Sequence, residues 1–386
     1  MKSRIAQIGS TATETPKRDV HAHQESRLFA FRHFPPLDGL RGLAILLVVV
    51  GHVLAFDFGL YGAGSLGGLG VLLFFVLSGF LITGLLDREL RETGDISLSQ
   101  FYLRRVLRLF PALFCFLAVL CILIELGIVT DTPWYTILAC LVYVRNIWGR
   151  GTSSGHLWSL SIEEQFYMLW PVIMRVFSRI AALRVAIAGS IAITLFRMIA
   201  IHWEWFNYGT GVFYERSWFR FDSILIGCAV ALFLSNSTDR GFVVRFLSSR
   251  FIPMFVWPIL IAWTIRGEAK THAWYLTIQT VLAAVLLINL LVASNASVYL
   301  SVLSHPLARW FGRISYSWYL WQQLFTVFVA PSWLGLRTFP YNVAVSLLLA
   351  VISRAVVEQP FLKMKERISY RVSRRFSCAA ALEHQL

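Results

Sequence analysis

Charged side chains are scarce. Asp, Glu, Lys and Arg make up only 15% of the 386 residues, against roughly 25% in an ordinary soluble domain. Apolar residues reach 57%. So high an apolar share excludes a disordered chain. It also excludes a soluble basic binder of nucleic acid, which would carry its charge on a polar surface. Acidic residues are the scarcest charge, 21 against 35 Lys and Arg, for a net +14. Cysteine is sparse too. Cys115, Cys121, Cys140, Cys228 and Cys378 show no CxxC or Cys/His metal spacing, and they read as small buried hydrophobes. No secretory signal is visible, because residues 1–34 are polar and mixed in charge. The class that remains is a polytopic membrane protein whose basic residues sit in its loops.

Apolar runs able to span a bilayer need about 20 residues. Ten are expected, centred on 37–57, 68–86, 109–129, 161–178, 183–201, 221–235, 251–266, 273–293, 311–330 and 340–356. The stretch 134–148 reads as an eleventh or as a re-entrant piece. With the N-terminus inside, 26 of the 35 Lys and Arg fall on the cytoplasmic side. Seven fall outside, and Arg41 and Arg197 lie within spans. That asymmetry is a positive-inside signal. The expected fold is therefore an all-α polytopic membrane protein of about ten transmembrane helices with both termini cytoplasmic. Its divisions are a polar tail at 1–34, a membrane domain at 35–360 and a basic tail at 361–386. No internal repeat stands out.

An ionisable residue inside a span is a functional-site candidate by default. In the first span, Asp38, Arg41 and His52 share one helix face. Arg41 and His52 are eleven residues apart, about three turns and roughly 16 Å. Snorkelling explains Arg41 and capping explains Asp38 equally well, whereas a histidine in a span needs a partner. A second constellation, His156-Leu-Trp158-Ser159-Leu-Ser161-Ile-Glu163-Glu164-Gln165-Phe-Tyr167, opens an apolar run. It enters from the outside, at a depth similar to His52, so the two sites are expected to meet. A histidine and a carboxylate together activate a hydroxyl: the imidazole takes the proton and the carboxylate orients it. One of Glu163 and Glu164 could instead only cap the helix start. Arg220 could pair with Glu163, with Asp222 or with lipid phosphate.

Arg104, Arg105 and Arg108 cluster on the cytoplasmic side. Clustered arginine suits phosphate recognition, and anchoring to anionic lipid fits as well. The run Gly62-x-Gly64-x-x-Gly67-Gly68-x-Gly70 lacks a following Lys-Ser/Thr and so is no phosphate loop. It reads as a flexible outer loop. Ser78-Gly79 offers a small-residue helix contact. Ser78 is a weak candidate nucleophile, with no base adjacent in sequence. Aromatics crowd the stretch 202–220, as an interfacial belt or a sugar-binding face.

Taken together and in this order, several stretches resemble acyltransferase family 3, the integral membrane O-acyltransferases. They are LDGLRGLAILLVVVGHV (37–53), GVLLFFVLSGFLI (70–82), FYLRRVLRLFP (101–111), HLWSLSIEEQFYMLWP (156–171), FRFDSILIG (219–227), GRISYSWYLWQQ (312–323) and VVEQPF (356–361). The resemblance implies about ten membrane helices in a bacterial inner membrane. It implies acyl transfer from a cytoplasmic acyl-CoA co-substrate to a hydroxyl of an extracytoplasmic glycan, with no permanently bound cofactor and no metal. Arg41 and His52 match the family's Arg-x10-His signature. Glu163 matches the carboxylate of its fourth-helix motif, and Arg104, Arg105 and Arg108 match its basic segment. Leu72 and Gln322 depart from the family pattern, where Asp and His are common, so no polar role is expected at either.

The expected activity is O-acetylation of a cell-surface or secreted carbohydrate. His52 would be the general base, Glu163 would orient it, and Arg41, Arg104, Arg105 and Arg108 would hold the acetyl-CoA phosphates. Tyr167, Arg220 and Trp158 would place the acceptor. The protein either completes transfer alone or hands the acyl group to a separate extracytoplasmic partner enzyme. The rival expectation is a transporter or flippase for a glycan or lipid-linked sugar, which would show inverted repeats or broken helices. A non-catalytic membrane subunit is the third.

Overall fold

A computed structural model describes residues 34–205, 215–235, 241–266, 274–292, 297–327 and 335–364. Cys378, both tails except for their innermost residues, and four of the outer-loop aromatics (Phe206, Tyr208, Phe213 and Tyr214) lie outside the described residues. The described residues contain helices and no strand. In chain order they are α1 (Pro35–Phe56), α2 (Gly64–Thr93), α3 (Leu98–Glu125), α4 (Trp134–Leu141), α5 (Arg145–Trp148), α6 (Leu157–Val176) and α7 (Arg179–His202). There follow α8 (Phe221–Ser235), α9 (Gly241–Leu247), α10 (Ile252–Ile265), α11 (Trp274–Val292), α12 (Val298–Ser304), α13 (Pro306–Thr326) and α14 (Tyr341–Ser353). α14 continues through a π turn (Arg354–Glu358) to Met364.

Every one of the ten expected spans falls on a helix. Six helical stretches are long and apolar enough to cross a membrane: 35–56, 61–93, 98–125, 179–202, 274–292 and 341–364. The other four fall short for physical reasons. α8 and α10 have 15 and 14 residues, about 22 Å of helix against a hydrocarbon core of about 30 Å. α6 carries Glu163, Glu164 and Arg175, and α13 carries Arg309, Arg313, Gln322 and Gln323. Those polar groups lower the hydropathy of helices that protein, not lipid, surrounds in part. The stretch 134–148 forms two helices of eight and four residues, too short to cross. The glycine run at 62–70 is not a loop: a single 3₁₀ turn (Tyr61–Ala63) leads directly into α2 at Gly64.

Small residues set how the helices meet. A side chain at Gly42 or Gly312 would strike the α13 or α1 backbone, at Ala308 and Asp38 respectively. Gly79 and Gly227 do the same for α2 against α8, so the Ser78-Gly79 contact is present. α2 is the central element, with 78% of its apolar window buried against 22% for α7 and for the last helix. α1 runs antiparallel to α2, with Gly51 beside Gly67 and Ala44 beside Gly70. It runs parallel to α13, with Asp38 beside Gly312 and His52 bonded to Gln322. The buried Arg197 of α7 pairs with Asp222 of α8 at 2.7 Å and donates to Thr277 of α11 at 2.7 Å. Those two intramembrane charges clamp three helices together. Of the described cysteines, Cys140 and Cys228 are buried, Cys115 and Cys121 half-buried, and all four are free thiols.

Candidate active site

Two cavities enter the helix bundle from opposite ends and share part of their walls. The outer one, about 320 Å³, is lined by His52 and Val48 of α1, Gly67, Gly68 and Val71 of α2, and Trp158 of α6. His156, Tyr319, Gln323, Thr152, Arg145 and Glu215 complete most of its rim. The inner one, about 130 Å³, is lined by Arg41, Arg105, Arg108, Ser78, Glu163, Tyr167, Ser159, Tyr316 and a set of Leu and Phe side chains. Val71 and Tyr319 line both. Both residues stand where the two compartments adjoin.

His52 stands in the outer compartment, held by α13. Its Nδ1 lies 2.8 Å from Gln322 Oε1, and Thr326 Oγ1 donates to the same oxygen at 3.0 Å. A carbonyl oxygen only accepts, so Nδ1 carries the proton and Nε2 is left as an acceptor. Nε2 faces Gly67, where an added Cβ would lie 3.6 Å away. The glycine leaves that approach open. This is the arrangement a general base needs: a ring fixed through one nitrogen with the other bare.

Glu163 does not join His52. Ser78 Oγ donates to Glu163 Oε1 at 3.0 Å, and Ser78 lies eleven residues along α2 from Gly67, about 16 Å deeper. His156, the residue just before α6 and seven before Glu163, lines the outer cavity with His52. The expected pairing of His52 with Glu163 is therefore replaced by His52 with Gln322. The reason is geometric: α6 descends two turns between His156 and Glu163, whereas α13 runs parallel to α1 and keeps Gln322 level with His52.

The inner compartment is basic. Arg105 bonds Glu164 at 2.6 Å and lies 3.4 Å over the Tyr167 ring. Its charge is thus matched. Arg41 and Arg108 face the same cavity, and Arg41 Nε has no hydrogen-bond partner among the described residues. Arg104 turns away to pair with Glu89 at 3.1 Å and to donate to Gln100 at 3.5 Å. It is not in the cavity lining, so the four expected arginines reduce to three.

Of the residues expected to place an acceptor, Trp158 lines the outer cavity and Tyr167 the inner one. Arg220 lines neither. It is buried, with its guanidinium 5.4 Å from the centre of the Phe75 ring and 5.8 Å from that of Trp158. Asp222 belongs to Arg197.

In the connection between α3 and α4, Asp131 pins the segment 152–153. It accepts from the Thr152 backbone N–H at 2.6 Å, from Thr152 Oγ1 at 2.5 Å and from Ser153 Oγ at 3.0 Å. Burial alone would raise this carboxyl, but the hydrogen bonds from Thr152, Thr132 and Ser153 outweigh it and hold it below the ordinary aspartate range. Glu215 sits 3.6 Å from Arg145. Burial pushes its carboxyl up, against the opposing pull of Arg145 and Arg216.

Three site features escape a reading by sequence. Gln322 is an ordinary amide in an aromatic run, and only helix packing shows what it touches. Val71 and Tyr319 look like core residues. The Ser78–Glu163 contact joins residues 85 positions apart. The recurrence of Ser, Tyr and Gln on one face of α13 was the available signal.

A family model described as an acyltransferase domain matches residues 35–357. YrhL of Bacillus subtilis (strain 168), whose name proposes a peptidoglycan O-acetyltransferase, is 29% identical over 356 residues, 85% of this chain and 55% of YrhL. O-acetyltransferase OatA of Staphylococcus aureus (strain NCTC 8325 / PS 47) is 28% identical over 369 residues, 87% of this chain and 58% of OatA. The chain thus spans little more than half the length of these relatives. No solved structure matches it.

Proposed function

The chain belongs to the acyltransferase-domain family, and from that premise we propose that it is a multi-pass inner-membrane O-acetyltransferase. The donor is acetyl-CoA from the cytoplasm, and the acceptor is a hydroxyl of an extracytoplasmic carbohydrate. One observation carries this reading. A histidine with a bare Nε2 stands in an outer cavity that adjoins, at Val71 and Tyr319, an arginine-lined inner cavity. Reactants could thus approach from opposite sides and meet where the two adjoin.

Arg41, Arg105 and Arg108 hold the donor's phosphates. Seen along α1, Arg41 and His52 are about 16 Å apart, a span that the extended pantetheine arm covers. The thioester then lies where the two cavities adjoin. His52 Nε2 takes the proton of the acceptor hydroxyl, and the oxygen attacks the thioester carbonyl carbon. The C–S bond breaks, and the imidazolium returns the proton to the departing thiolate. Gln322 keeps the imidazole in the tautomer that leaves Nε2 bare, the positioning task a carboxylate performs in hydrolytic triads. Glu163 and Ser78 act on the donor side, at the depth of the arginines.

The test is transfer from labelled acetyl-CoA in membranes carrying the wild type or His52→Ala. An unchanged rate in the variant would remove His52 as the base. Acetyl-CoA binding to the purified protein distinguishes this reading from a glycan transporter, which has no use for the donor.

A further inference from the structure

Acyl transfer from a thioester places negative charge on one oxygen. As the acceptor attacks, an electron pair of the C=O bond moves onto the carbonyl oxygen, and donors aimed at that oxygen lower the barrier. The arginines are badly placed to supply them. Arg105 is committed to Glu164, and Arg41 stands eleven residues along α1 from His52, about 16 Å deeper.

Two hydroxyls stand where the compartments adjoin. Ser159 of α6 lines the inner cavity, and Tyr319 of α13 lines both. Ser159 Oγ lies 2.6 Å from the Tyr319 hydroxyl oxygen. Both are also within donating distance of the His156 carbonyl, Ser159 at 3.2 Å and Tyr319 at 2.9 Å. That carbonyl already accepts from the Ser159 backbone N–H at 3.2 Å. A carbonyl oxygen has two lone pairs, so a single hydroxyl hydrogen completes it. The second hydroxyl hydrogen is spent between the two side-chain oxygens. Turning it toward a ligand leaves the His156 carbonyl fully served.

Packing fixes the pair in place. The Tyr319 ring stands edge-on to Phe74 at 6.4 Å and to His156 at 5.3 Å, and Ser159 sits in the first turn of α6. Tyr319 precedes Gln322, the partner of His52, by three residues. Residues three apart share a helix face. Neighbouring turns of α13 thus carry the holder of the base and one member of the hydroxyl pair.

We propose that Ser159 and Tyr319 form the oxyanion site of the transfer, the hydrogen between them turning to the thioester oxygen as charge develops there. This rests on the acetyl-transfer reading. The acceptor proton goes to His52 Nε2, the acceptor oxygen bonds to the carbonyl carbon, and the displaced electron pair sits on the oxygen facing the hydroxyls. When that pair re-forms the C=O bond, the C–S bond breaks and the imidazolium returns its proton to the thiolate. Ser159 and Tyr319 donate hydrogen bonds and give up no proton.

The test has two arms on the full chain. In membranes supplied with radiolabelled acetyl-CoA, Ser159→Ala and Tyr319→Phe should each lower the saturating rate about 10²-fold. Ser159→Thr, which keeps the hydroxyl, should recover most of it. Calorimetry in lipid nanodiscs should find acetyl-CoA binding unchanged in all three. In the second arm, infrared difference spectra follow the ¹³C=O stretch of labelled acetyl-CoA bound without acceptor. The band should lie at lower wavenumber than in free acetyl-CoA and move back toward the free position in Ser159→Ala. A misplaced or unfolded site would lose binding instead. Full rates in both variants, a rate loss matched by an equal loss of donor binding, or a wild-type band at the free position would each overturn the proposal. The two readings fail distinguishably. A wild type that neither binds acetyl-CoA nor transfers its acetyl group sinks the transferase reading and this one with it. Transfer that needs His52 but is indifferent to both hydroxyls sinks this one alone.

Discussion

The outer and inner compartments differ in how their charge is treated. Around His52 the polar groups are neutral or matched: Gln322, Thr326, His156, and Arg145 with Glu215. Around Arg41 the positive charge is in excess, with three arginines and one glutamate in the lining. The first suits moving a proton to and from an uncharged hydroxyl. The second suits a polyanion. The difference teaches that the two paired signatures, Arg41 with His52 on α1 and His156 with Glu163 at the start of α6, are each split between the compartments. Each helix delivers one residue to each side of the Val71–Tyr319 junction.

The sharpest way to break this division is at His52. His52→Ala should lower kcat for acetyl transfer by about 10² to 10⁴ while leaving acetyl-CoA binding unchanged, measured by calorimetry on the same sample. A loss of donor binding equal to the loss of rate would mean that the compartments are not separate. Next in size is Gln322→Leu. Without its carbonyl the imidazole loses its fixed tautomer, and kcat should fall at least tenfold with the donor KM unchanged. Gln322→Asn should not fully rescue it, because the shorter amide cannot reach His52. On the inner side, Arg41→Ala and Arg108→Ala should each raise the donor KM about tenfold. Arg104→Ala, whose guanidinium belongs to Glu89, should change it less than twofold. Equal effects of Arg104 and Arg108 would contradict the placement of Arg104 outside the cavity.

The smallest effect concerns pH and the outer rim. In the folded state the Asp131 carboxyl titrates below its ordinary range, which is centred at about 3.9 for an unperturbed aspartate. Its contribution to stability is therefore fully present above about pH 4 and is lost as pH falls through the lower folded-state value. Thermal melts of the detergent-solubilised protein should show a decline below about pH 4 that Asp131→Asn flattens. An identical acid limb in the two proteins would show that the Asp131 clamp carries no linkage.

Much of the fold was legible in the sequence because bilayer insertion is a one-dimensional problem. Each span must satisfy its own backbone hydrogen bonds, so length and apolarity locate it. All ten expected runs fall on helices, and the exceptions are instructive. α6 and α13 are less apolar than a lipid-facing span because they carry the site, and 134–148 breaks into two short helices. The glycine run at 62–70 misled because glycine is usually a sign of loops. Here it serves helix packing, as Gly67 against Gly51 and Gly70 against Ala44 show.

The site was legible as a set of residues and not as a set of partners. His52, Arg41, Arg105, Arg108, Glu163 and Trp158 all line one of the two cavities. Arg104 and Arg220 do not, because neighbours of opposite charge or aromatic rings claim them. Gln322, read as a position without a polar role, holds the candidate base. Leu72 is buried in the core.

The sequence by itself determined the class, the helix positions and which intramembrane groups need an explanation, because burying a charge in hydrocarbon is costly whatever it packs against. Only the tertiary structure decided depth and partnership. A periodic pattern tells which residues share a face of one helix. It does not tell whether the facing helix runs parallel or antiparallel, or which of its residues stands level. That choice put Gln322 beside His52, Glu163 beside Ser78, and Val71 and Tyr319 where the two compartments adjoin.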